Sequence, residues 1–141
     1  MFEWWKDILR PIRMEDRDFG RMRYLRQTST WECQSPFDPE GGTVEVLIEG
    51  EAAGPSATQR QRWRELPEHY SKLRSEAEAA IGRIVSDQRI ENFEFRLAAV
   101  CLPDAIENSP DLELTFGSIS GPPQFDAEVS SWRIRQVVGP R

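Results

Sequence analysis

The stretch PSATQRQRWRELPEHYSKLRSEAEAAIGRIVS, Pro55–Ser86, decides how the rest of the chain is read. Trp63, Leu66, Tyr70, Leu73, Ala77, Ile81 and Ile84 recur at spacings of three and four, the pattern of a helix with one buried face. Ser56 and Gln59 have the spacing of a capping box, in which the hydroxyl accepts from an orphan helix N–H and the Gln side chain reaches back. Arg60, Arg64, Glu68, Lys72, Glu76 and Arg83 form the opposite, solvated face. Pro67 lacks an N–H and crowds Leu66, so the stretch predicts either a kink or two helices packed on one surface, ending near Asp87 and Gln88.

Strand-like segments lie on both sides of this helix. Upstream, MEDRDFG (14–20) reads as an acidic turn, and Arg21–Cys33 as one interrupted strand or a hairpin. PFDPEGG (36–42) is a turn cluster, and TVEVLIEG (43–50) alternates as a strand with one buried face. Downstream, Phe93 to Leu102 reads as a strand covered on both faces, and Leu112–Phe116 as a half-buried one. From Phe125 the alternation slips before Trp132, which predicts a β-bulge near Ser130 and Ser131. FEWWKDILR (2–10) has the spacing of a short amphipathic helix closed by Pro11. The expected fold is α+β. A mainly antiparallel sheet of about five to six strands carries a long or kinked helix on one face, with a short N-terminal helix. Residues 1–141 form one domain, with 1–13 as a helical segment and 14–141 as the core.

Composition narrows the function classes. The formal net charge is −6, and clustered positive charge of the kind that grips phosphates is missing, so no nucleic-acid partner is expected. Arg60, Arg62 and Arg64 around Trp63 read instead as a helix surface salt-bridged with Glu65 and Glu68. No apolar run approaches the length of a membrane span and no secretory h-region opens the chain, so no membrane partner is expected and the cytoplasm is the expected address. Cys33 and Cys101 lie in separate strand-like stretches without CxxC spacing, and read as buried free thiols unless they face each other.

No catalytic constellation emerges. His69 is the only histidine, one position off the apolar stripe, and a boundary residue rather than the base of a triad. One His and two scattered Cys offer no zinc site, and the acidic pairs contain no calcium loop, so neither metal nor cofactor is expected. Two features point to a binding surface. Asp38, Glu40, Glu45, Glu49 and Glu51 fall in a stretch, Pro36–Thr58, without Lys or Arg. There are also five tryptophans, a favoured anchor type at interfaces. Trp63 and Trp132 lie on periodic faces and are assigned to the core, which leaves Trp4 and Trp31 as candidate exposed contacts.

The acidic turn ending in Phe19-Gly20, the strand with Trp31-Glu32, TVEVLIEG, the Gln- and Arg-rich helix and the last strand from Phe125 to Trp132 resemble a family of small bacterial α+β domains of unknown function. Similar small domains occur as immunity proteins beside polymorphic toxins. The resemblance covers residues 15–137 and leaves the Trp4-Trp5 segment outside. It supplies no catalytic residues, and the missing catalytic constellation, the acidic charge and the surplus of aromatics favour a non-catalytic protein-binding domain. The reading is a domain that binds a protein partner, such as a basic toxin, through an acidic surface. A structural or self-associating module, with a homodimer contact, is the alternative, and a carboxylate-dependent hydrolase is the third.

Overall fold

The structure is a computed structural model that describes residues 12–118 and 120–141. Eight strands form one sheet in sequential order, β1 to β8. β1 (Arg13–Asp16), β2 (Gly20–Leu25), β3 (Thr30–Phe37) and β4 (Gly42–Glu49) make an antiparallel meander, with a 3-10 turn at Asp38–Glu40. β5 (Leu97–Leu102), β6 (Leu112–Gly117), β7 (Gln124–Ser130) and β8 (Arg133–Val138) make a second meander. The two meet at β4 and β5, which pair in parallel. Parallel neighbours need a long crossover, and α1 (Ala57–Asp87), the one α-helix among the described residues, supplies it.

The sheet therefore has eight strands among the described residues, against the five to six expected; it is mainly antiparallel, and mixed through the single β4–β5 pair. The extra strands come from the hairpins at the two ends of the sheet, β1–β2 and β7–β8. Met14–Asp16 lies in β1 and not in the expected turn, because Asp16 closes a hairpin by accepting the backbone N–H of Asp18 and Phe19. Arg21–Cys33 is a hairpin of β2 and β3. Phe93 and Phe95 precede β5 rather than lie in it. The slip before Trp132 is not a bulge within one strand. It is a two-residue turn at Ser131 and Trp132, with φ of 52° and 57°, that reverses the chain into β8. The irregularity lies further on, between the pairs Val129↔Ile134 and Glu128↔Gln136.

α1 is one helix of 31 residues running through Pro67, not two. The apolar spacing is unbroken across Pro67, and packing on both sides outweighs the lost N–H. Trp63, Leu66, Tyr70, Leu73, Ala77 and Ile81 are buried against one face of the sheet, as their spacing predicts. The capping box is present: Gln59 N–H donates to Ser56 Oγ at 3.1 Å, and Ser56 N–H donates to Gln59 Oε1 at 2.9 Å. The same Gln59 is 3% exposed and donates to the carbonyls of Glu49 and Leu102, tying the helix start to the ends of the parallel pair.

The charged residues of α1 are clamps as well as solubilising groups. Arg60 and Arg64 converge on Asp18 in the β1–β2 turn, Arg60 also reaches Asp16, and Trp63 Nε1 donates to the Asp18 carbonyl. Arg62 pairs with Asp111 at the start of β6, and Glu76 accepts from Arg133 and from the Ile134 N–H of β8. Long-range partners thus replace the local Glu65 and Glu68 pairing read for the arginines. The Ile134 N–H, aided by Arg133, holds the Glu76 carboxyl below its usual range. Cys33 is buried on the helix side, while Cys101 is half-buried on the opposite side, and both are free thiols. The expected N-terminal helix at 2–10 lies outside the described residues. Among the described residues no helix is long and apolar enough to cross a membrane.

Candidate protein-binding face

Side chains alternate across a strand, so each strand offers one set to α1 and the other to the opposite, open face of the sheet. On β4 the helix side takes Val44, Val46 and Ile48, all at most 1% exposed, which leaves Glu45, Leu47 and Glu49 on the open side. The register then extends the open face sideways. Leu47 stands beside Cys101, Cys101 beside Glu113, and Glu113 beside Glu128. One step along, Glu45 stands beside Ala99, Ala99 beside Thr115, and Thr115 beside Asp126. The result is a small apolar centre of Leu47, Ala99 and Cys101, flanked by Glu45 and Glu49 on one side and by Glu113, Asp126 and Glu128 on the other.

This charge arrangement is costly for the fold. Glu113 and Glu128 are directly opposed across β6 and β7, and like charges in that position are destabilising. Burial raises the Glu113 pKa above the usual carboxylate value, and Asp126, Glu128 and Glu49 add to the rise while Arg141 opposes it. The Cys101 thiol is pushed up to about 12, first by burial and then by Glu49, Glu113 and Asp126. Relief is local. Arg141 forks the Asp126 carboxylate with two bonds of 3.0 Å, Thr115 Oγ1 donates to it at 2.6 Å, and Gln136 Nε2 donates to Glu128. Glu32 is neutralised by Arg23. Among the described residues Glu45, Glu49, Glu113 and Glu128 form no ion pair with a cation.

The predicted site residues divide. Glu45 and Glu49 lie on this face. Asp38 and Glu51 are exposed at the turns that bracket β4 and are not on it. Glu40 is a structural residue: its side chain is 8% exposed, it pairs with Arg74 at 2.8 Å, and it accepts the Leu97 N–H. The Pro36–Thr58 stretch therefore does meet a cation, one that comes from α1. Trp31 is fully buried, its ring 4.9 Å from Tyr24 and its Nε1 donating to the Glu51 carbonyl, so it is no exposed contact. The clue was present in the sequence, because Trp31 shares its alternation with Cys33 and Phe37. Trp132, assigned to the core, is partly buried: it packs on the edge of the core at the β7–β8 turn and stacks on His69. Trp4 lies outside the described residues.

Glu113, Asp126 and Glu128 were not among the predicted residues. Their strands show them as outward polar positions, but only the pairing of β4 to β7 brings them beside Glu45 and Glu49. Among the described residues no three His, Cys, Asp or Glu side chains are placed to hold a metal ion. The carboxylates are spread along the pleat rather than convergent, an arrangement suited to a broad cationic surface. Comparison with family models, with curated proteins and with solved structures returns no match.

Proposed function

We propose that this chain is a non-catalytic protein-binding domain whose open sheet face takes a basic protein partner, as an immunity-type domain takes a toxin. The observation that carries the reading is the cluster of carboxylates around Leu47, Ala99 and Cys101 that have no ion-pair partner among the described residues, with Glu113 directly opposite Glu128. An apolar centre with a polar rim is the anatomy of a protein interface. A rim of one sign speeds association with a partner of the other. Cations from a partner would offset the repulsion that the free domain carries.

The test is a pull-down from host lysate with the tagged chain, at low and then high salt, repeated with a Glu45→Gln, Glu49→Gln, Glu113→Gln, Glu128→Gln variant. The expected result is a basic partner that is released by salt and lost by the variant. The same partner retained by the variant would remove the open face from the interface. No partner, with the chain eluting as a stable dimer, would favour the self-associating alternative.

A further inference from the structure

On the helix side of the sheet, a cavity of about 230 Å³ opens where the first turns of α1 pass the start of β6 and the β7–β8 turn. Its floor is Leu112 and Val129, both fully buried. Trp132 forms a wall, and its backbone is the unusual feature. Ser131 and Trp132 both sit in the left-handed region, where a two-residue hairpin normally places Asn-Gly. A bulky residue there carries strain on the order of 1 kcal/mol or more. Two contacts hold it: Ser131 N–H donates to Asp111 Oδ2 at 2.9 Å, and the Trp132 ring lies flat on His69 with centroids 4.1 Å apart. The indole packs on His69 and the edge of the core, and it also lines the cavity as a wall.

The charges select the guest. Arg62 is committed to Asp111, through Nη2 to Oδ1 at 3.2 Å and Nη1 to the carbonyl at 3.3 Å. Glu65 accepts only from the neutral Gln61 and forms no ion pair among the described residues. One uncompensated carboxylate therefore stands at the rim of an apolar, aromatic-walled hole. An anionic guest would meet Glu65 and Asp111 with no free cation to receive it. The volume is below the roughly 300 Å³ at which small-molecule sites begin, and suits a single side chain.

We infer that this cavity receives one lysine or arginine side chain of a protein partner. The aliphatic stem lies along Leu112, Val129 and Trp132, as long cationic side chains cover apolar surface. The head reaches Glu65, and the indole adds cation–π attraction. The inference rests on the protein-binding reading in taking a protein side chain as the guest, but it places that contact on the helix side and uses none of the open-face carboxylates.

It is tested by titrating the ¹⁵N-labelled chain with Nα-acetyl-lysine methylamide and Nα-acetyl-arginine methylamide. The norleucine counterpart keeps the stem and lacks the charge. Shifts are expected at Thr58, Glu65 and the Trp132 indole N–H, with norleucine weaker. Glu65→Gln should weaken the cationic probes about threefold to fivefold, the scale of a part-exposed charge pair, and leave norleucine unchanged. Norleucine binding as well as lysine, or shifts mapping elsewhere, would overturn the inference. A Glu113→Gln, Glu128→Gln variant should leave these shifts intact. Their loss would mean that the probes report general acidic attraction, and the cavity would have no role. If the open face takes no partner while the cavity shifts persist, the proposed function fails and the receptor stands alone.

Discussion

The two faces of the sheet are built by opposite rules from alternate residues of the same strands. Toward α1, Val46, Ile48, Val100, Leu102, Leu114 and Ala127 are fully buried and carry no polar groups. Toward the open side, the neighbours of those residues in sequence are Leu47, Glu49, Cys101, Glu113 and Asp126, half-buried, and the carboxylates among them repel one another. A sheet whose only task was to fold would alternate charge sign across its strands or shorten the acidic ones. The helix side shows what stability selects. The open side keeps an arrangement that stability alone would remove, as sites kept for function often do.

The largest effect lies on the helix side. Trp31→Ala should cost about 3–5 kcal/mol, because it empties a fully buried site and leaves the Glu51 carbonyl without its indole donor. Urea unfolding should show the loss as a lower midpoint. A cost under 1 kcal/mol would restore Trp31 as a candidate contact. Glu40→Ala comes next, at about 3 kcal/mol. It removes a buried carboxylate that pairs with the partly exposed Arg74 and is the acceptor of the Leu97 N–H. If Glu40 served a partner instead, the variant would unfold like the parent and fail only in binding.

These two residues also show how far the sequence could be read. The helix was legible to its cap, because Ser56, Gln59 and the Trp63-to-Ile81 stripe obey rules that span only a few residues. The strands were legible as alternation, and Glu45 and Glu49 were found that way. Glu40 was misassigned because its partner Arg74 is remote in sequence and is brought beside it only by folding. Glu113, Asp126 and Glu128 were missed for a related reason, since alternation tells which face a residue takes but not which strand lies beside it. The two strands lost from the count were hidden by Asp16 and by Trp132. In the first a carboxylate does the work of a turn, and in the second a bulky residue occupies a turn position usually given to glycine.

A smaller effect probes the clamp that holds the β1–β2 turn to α1. Asp18 is held down to about 2 from its ordinary 3.8, first by the Arg64 hydrogen bond, against burial, and then by Arg60. Its folded pKa lies below the unfolded one. The stability it contributes is therefore full above about pH 4 and is lost as pH falls toward about 2. Asp18→Asn should cost about 1 kcal/mol at neutral pH, allowing for solvent screening, or about 3–4 °C in Tm. The gap between variant and parent should close as the acid end is approached. A gap that stays constant down to pH 2 would assign the cost to packing at the turn.

The smallest effect is the most informative, because its sign separates the two faces. On the helix side every substitution above destabilises. On the open side Glu113→Gln should stabilise, by about 0.5 kcal/mol at neutral pH, since it removes a like charge from directly opposite Glu128. Burial and the neighbouring carboxylates raise the Glu113 pKa above its ordinary 4.5, so the folded state binds more protons than the unfolded state between that value and the raised one. The penalty is present above the raised pKa and vanishes as pH falls below the ordinary value, so the gain from glutamine should vanish with it. Paired melts at pH 7 and pH 4 measure both points. A variant more stable at pH 7 and weaker toward the proposed basic partner would show that the carboxylate is kept for binding at the fold's expense. A variant less stable at both pH values would mean that Glu113 supports the sheet, and the distinction drawn between its two faces would fail at its central residue.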